Sequence, residues 1–104
     1  MTQAVGLIEV YGLVAAFVAG DAGCKAANVT LETFDRNKPA NADSLPVPLL
    51  VLVKFRGSVE DVTAAVEAAE AAAKKISGVV AKHIIANPEQ DTNKMLVLNG
   101  LDKY

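Results

Sequence analysis

The chain has 104 residues, 52% of them hydrophobic but only 5% aromatic and none tryptophan, which is enough for one domain around one core. Ten Lys and Arg against twelve Asp and Glu give a formal net charge of −2, which argues against the basic surface a nucleic-acid partner requires. A single cysteine excludes an intrachain disulfide and fits a reducing compartment.

The first element is a strand around Ala4–Val10. A helix over Leu13–Ala27 follows, with Leu13, Phe17, Gly20, Cys24 and Ala27 at the spacing of one buried face. Its opposite side carries Asp21, Lys25 and Asn28, with the acid N-terminal to the base, the better orientation for an ion pair. Asn28 stops this helix before the β-branched Val29 and Thr30, which open a second strand, Val29–Phe34. A long connector, residues 35–48, holds Pro39, Pro46 and Pro48 and no glycine. The third strand, Leu49–Phe55, begins with a run of apolar residues, a pattern that predicts cover on both faces of the sheet.

Ser58 is the predicted N-cap of a second helix, Val59–Ser77, with Asp61 in the place of a capping-box glutamate. Glu60 and Asp61 in its first turn and Lys74 and Lys75 in its last complement the helix dipole. Its apolar stripe is Val62, Val66, Ala69, Ala73 and Ile76, and Gly78 follows as the terminating residue. A fourth strand, Val79–Ile85, and a short helix over Thr92–Leu98 after Pro88 complete the chain. The order is βαββαβ, so the expected fold is α+β and ferredoxin-like with a short C-terminal helix: a core over 4–86, the connector 35–48, and a helix and tail over 87–104.

That plan hosts many functions, so the side chains must discriminate. Cys24 lies on the predicted buried stripe and reads as core packing. His83, in an apolar strand, has no nucleophile to serve. Glu60, Asp61, Glu67 and Glu70 read as a solvated helix face, and Glu9 as a buried structural acceptor. No catalytic constellation, metal set or cofactor motif emerges, so no enzyme, no metal and no cofactor are expected. RNA binding would need stacking aromatics on the central strands, and a metal chaperone a C-x-x-C pair. The apolar run Leu45–Val53 is too short to span a bilayer, and Glu9, Asp21 and Lys25 break up the N-terminal apolar stretch, so a soluble, cytoplasmic protein without a membrane partner is expected. The second strand mixes polar and apolar positions where the third does not, which points to a partner subunit on the free sheet face.

Gly6, Glu9 and Gly12 in a G-x-x-E-x-x-G opening, then Asp21, Lys25, Ala27 and Asn28, then Arg56–Gly57 before an Ala-rich helix, and a strand ending His83–Ile84–Ile85, resemble the single-domain shell proteins of bacterial microcompartments, the BMC-H type. The resemblance covers all but the long connector and the extreme tail. It implies a non-catalytic tile: a homohexamer that packs edge to edge with other shell proteins around encapsulated enzymes and passes small metabolites through a central pore. By resemblance, Lys25 is the edge lysine, Asp21 and Asn28 accompany it, and Lys74 stands near the same edge where relatives often carry Arg. Common members have a short Gly- and Ser-rich pore turn where this chain has its proline-stiffened connector. The pore-lining candidates are therefore Asn37, Lys38, Asn41, Asp43 and Ser44. The competing reading is a small-molecule-binding regulatory module on the same plan.

Overall fold

The computed structural model describes residues 3–98. The elements are β1 (Ala4–Tyr11), α1 (Leu13–Ala26), β2 (Thr30–Leu31), β3 (Asp35–Asn37), a 3₁₀ turn (Ala42–Ser44), β4 (Leu50–Gly57), α2 (Val59–Ile76), β5 (Val79–Ile85) and α3 (Gln90–Leu96). The strands form an antiparallel sheet in the order β2-β4-β1-β5, and β3 continues the β2 edge along β4. This is the expected βαββαβ order with its C-terminal helix. The polypeptide makes a slab of 42 × 31 × 16 Å.

Side chains on β4 alternate cleanly. Val51, Val53 and Phe55 point to the helices and are fully buried, as are Ile8 and Val10 opposite them on β1. α1 and α2 cover this face. They run antiparallel: Ser77 Oγ donates to Tyr11 O (2.6 Å) just ahead of α1, and at the other end Asp61 Oδ1 accepts from Asn28 N (3.4 Å) just after it. Ser58 caps α2 as predicted, its Oγ accepting from Asp61 N at 3.1 Å. Asp61, instead of reaching back to the Ser58 amide, joins the two helices through Asn28.

The predicted buried stripe of α1 is wrong in most of its members. Ala15, Ala16, Ala19, Gly20 and Gly23 face the core, while Leu13, Phe17 and Cys24 are exposed. The cause is steric. α1 lies so close to the sheet that a methyl group on Gly23 would stand 2.5 Å from Phe55 Cε1 and 3.1 Å from the Ala65 carbonyl oxygen. Only a face of Ala and Gly fits there, so the bulky residues turn outward. Ile76, the last residue of the predicted α2 stripe, is likewise half exposed, whereas Val62, Val66, Ala69 and Ala73 are buried. Gly12 is needed for another reason: it enters α1 at φ 87°, a backbone region that side chains disfavour.

The second strand is shorter than predicted and broken. Leu31 lies opposite Phe55 and Asp35 opposite Leu52, so residues 32–34 stand against only 53 and 54. This is a β-bulge, and it lets the strand bend and continue as β3. The first three residues of the predicted connector, Asp35–Asn37, are therefore part of the sheet. α3 begins two residues earlier than predicted because Glu89 caps it, accepting from Asp91 N at 2.8 Å. Residues 99–104 of the predicted tail lie outside the described residues.

Gly23→Ala is expected to cost about 1–3 kcal/mol, because neither the buried Phe55 ring nor the Ala65 backbone can yield. A shift in the urea midpoint measures it; an unchanged midpoint would mean that α1 can lift off the sheet without loss.

Candidate assembly and pore-side surfaces

The predicted site residues separate to the two ends of the helix pair. At one end, Asp21 and Lys25 form an exposed i, i+4 ion pair (2.8 Å), and Asn28, also exposed, is tied through its backbone to Asp61 at the start of α2. At the other end, about 20 Å away along α1 at 1.5 Å per residue, lies the connector. Gly12 N donates to Leu49 O (2.8 Å), fixing the connector's return beside the α1 N-terminus. Lys74 sits in the last turn of α2, at the connector end, so on one protomer it stands apart from Asp21, Lys25 and Asn28.

The connector is held by its own turns. Ala42 N donates to Pro39 O, Ser44 N to Asn41 O and Leu45 N to Ala42 O, at 3.0–3.1 Å, and Ser44 Oγ adds a 2.8 Å bond to Asn41 O. Ala42 is buried under the turn, leaving Lys38, Asn41, Asp43 and Ser44 on its exposed side. Asn37, placed in the connector by sequence, is an exposed residue of β3 opposite Leu50. One cation and one anion, Lys38 and Asp43, thus share the tip with two neutral polar residues, Asn41 and Ser44.

Between these ends, the outward side of α1 presents Val14 and Phe17 at 68% and 62% exposure, flanked by Leu13 and Val18. Phe34, from the bulged segment, meets Phe17 edge to face with ring centroids 5.0 Å apart. Contiguous exposed apolar surface commonly marks an interaction site.

The sheet face away from α1 and α2 is mixed. Leu7, Glu9, Leu52, Ala81 and His83 line a shallow hollow of about 300 Å³. Glu9 is half-buried, rather than the buried acceptor expected, and His83 is exposed. Further along, Lys54 is fully buried and Arg56 nearly so. Arg56 Nε donates to Glu32 Oε1 at 3.0 Å, and Lys54 Nζ reaches Asp35 Oδ2 (3.3 Å), Leu96 O (2.7 Å) and Leu98 O (3.1 Å). The second cover of β4 predicted from its apolar run is thus supplied in part by the C-terminal segment of the same chain, which closes over Lys54. Sequence reasoning missed this pair, although the alternation Val53–Lys54–Phe55–Arg56 contains the signal: two cations at period two on the face opposite the core.

Glu70 on α2 accepts from Lys82 of β5 (2.7 Å) and pairs with Lys74 (3.4 Å). The hydrogen bond from Lys82 holds its carboxyl below the ordinary glutamate value, with Lys74 adding to the effect against partial desolvation. On Lys25, the hydrogen bond and charge of Asp21 raise the ammonium above its ordinary value.

The described residues thus form a thin α+β slab with polar ends and an apolar flank. The BMC domain model matches residues 4–88. The chain is 38% identical over 94 residues to the bacterial microcompartment shell protein PduA of Citrobacter freundii, a match covering 90% of this chain and 91% of that protein. It is 37% identical over 98 residues to the carboxysome shell protein CcmK2 of Synechococcus elongatus, covering 92% and 87%. A crystal structure of a microcompartments protein from Desulfitobacterium hafniense superposes with a TM-score of 0.71 at 22% identity, over 90% of this chain and 48% of that one; the chain thus spans about half its length, and the likeness is one of fold. The chain belongs to the BMC domain family. It is a structural shell protein of bacterial microcompartments, not an enzyme.

Because the Glu70 carboxyl is held low in the folded state, its contribution is fully present above the ordinary glutamate range. It is lost as pH falls through the lowered folded value. Thermal melts from about pH 5 to about pH 3 should therefore show wild type losing Tm more steeply than Glu70→Gln; parallel curves would show that the Lys82 contact is not maintained in solution.

Proposed function

We propose that six copies close into a flat ring, that rings tile edge to edge into the facet of a microcompartment shell, and that small metabolites cross through an opening on the ring axis. The observation that carries this reading is the placement of the connector and of Lys25 at opposite ends of one thin slab. In a ring, one end of a wedge must meet the axis and the other the rim, and a head-to-tail contact between unlike flanks closes the circle. The apolar ridge of Leu13, Val14, Phe17 and Val18 supplies a flank that water leaves readily.

On this reading Lys38, Asn41, Asp43 and Ser44 border the opening, with Asn37 behind them at the end of β3. Six copies of Lys38 attract anionic metabolites and six of Asp43 oppose them, so these two charges offset each other and a single substitution at either position sets the sign they contribute. Asp21, Lys25 and Asn28 form the rim. Lys25 suits it because its four-carbon stem packs along a neighbour while the ammonium donates to carbonyl oxygens. Lys74, in the last turn of α2 at the connector end, lies toward the axis in this arrangement and away from the Lys25 rim. Other shell proteins are the lateral partners, and the encapsulated enzymes lie behind the facet in the bacterial cytoplasm.

Negative-stain electron microscopy tests the reading. The purified chain should form hexagonally packed sheets, and Lys25→Ala should abolish sheets while leaving single rings. Sheets that persist unchanged in Lys25→Ala would remove Lys25 from the rim, and the absence of any ring in the unaltered protein would remove the tile.

A further inference from the structure

Lys54 is the one fully buried charged residue among those described, and it stands where two segments far apart in sequence meet. From one side come Asp35 Oδ2 at 3.3 Å and Thr33 Oγ1 at 3.5 Å, both in the bulged strand that runs into the connector. From the other side come Leu96 O at 2.7 Å, the last residue of α3, and Leu98 O at 3.1 Å, two residues beyond it. An ammonium has three N–H donors, and here they are divided between the two segments. Among the described residues, the charge faces the Asp35 carboxylate on one side and the negative end of the α3 dipole on the other.

We propose that Lys54 is a positioning residue that couples the C-terminal helix to the connector strand. A buried cation is tolerated only while its acceptors surround it. When α3 lifts away, Lys54 loses two carbonyls and water enters, and Asp35 loses the dry, desolvated contact that holds β3 at its register. When β3 shifts, the carbonyls of α3 lose the compensated charge they close upon. The two dockings therefore favour one another through a single atom, and the coupling is reciprocal: an agent that displaces the C-terminal segment loosens residues 33–45, and an agent that grips the connector tightens α3. The bulge provides the means, since residues 32–34 have no one-to-one partners on β4 and can move without unpairing β1 from β4. This goes beyond the ring reading, because it is a property of one protomer and is measured whether or not rings form.

Amide hydrogen exchange on the full chain tests the coupling. In Lys54→Met, exchange should quicken at least tenfold both at 33–45 and at 90–98 while the amides of β1 keep their wild-type rates; Lys94→Met, on the exposed side of α3, should change neither segment. Asn93→Pro supplies the reciprocal arm: it removes the Asn93 N to Glu89 O bond inside α3 without touching Lys54, and it should quicken exchange at 33–45. Acceleration confined to one segment, or spread equally over β1, would overturn the proposal. Should Lys54→Met fail to fold, the Asn93→Pro arm decides alone: unchanged rates at 33–45 would overturn the coupling, and faster ones would support it.

Discussion

The close seat of α1 on the sheet governs everything else in this protein. Phe55, fully buried on the central strand β4, occupies the space a side chain at position 23 would need, and the Ala65 carbonyl closes the remaining gap. Given that contact, α1 can bury only Ala15, Ala16, Ala19, Gly20 and Gly23. Its larger residues must then face away, which converts an ordinary amphipathic helix into one with a thin inner face and an apolar outer one. A domain of this size with so much alanine in its helices buries little area per helix residue, and the outward ridge remains available for association. The 16 Å thickness of the slab follows from the same close packing.

The opposite sheet face follows a different logic. In place of a second apolar layer it carries Lys54 and Arg56, each held by a carboxylate from the neighbouring edge strand, with α3 closing over Lys54. Replacing a buried ion pair by apolar residues is often neutral or stabilising, so such pairs are better explained by the geometry they impose than by the energy they contribute. Here the imposed geometry is a bulged edge, bent at residues 32–34, that delivers the connector to the end of the slab holding the α1 N-terminus. Leu7, Leu52 and Ala81 stay uncovered around the hollow beside it.

The order of elements was legible in the sequence because each carried a separate local signal. Ser58 announced α2, Gly78 ended it, and the apolar run from Leu49 marked the central strand. What could not be read were the consequences of distance. The period-3.6 rule weighs Leu13, Phe17 and Cys24 above Ala and Gly, so it chose the outer face of α1 as the inner one. Only the steric demand of Phe55, 32 residues away in sequence, reverses that choice. The bulge that carries Asp35–Asn37 into the sheet likewise depends on Lys54 and on a C-terminal helix that local patterning cannot connect to it. Of the residues named for assembly, Asp21, Lys25 and Asn28 share one side of the helix in the sequence pattern, and all three are exposed. The sequence could not show that Lys74 lies at the far end of its own helix, because antiparallel packing of α1 and α2 is a tertiary fact.

The central claim is that the outward ridge of α1 is buried between identical copies in a closed ring. Native mass spectrometry of the unaltered chain, over a dilution series, tests it most directly. The account predicts one dominant species at six times the 10.8 kDa chain mass that persists on dilution. A monomer at every concentration, or a ladder of masses without a preferred number, would contradict it.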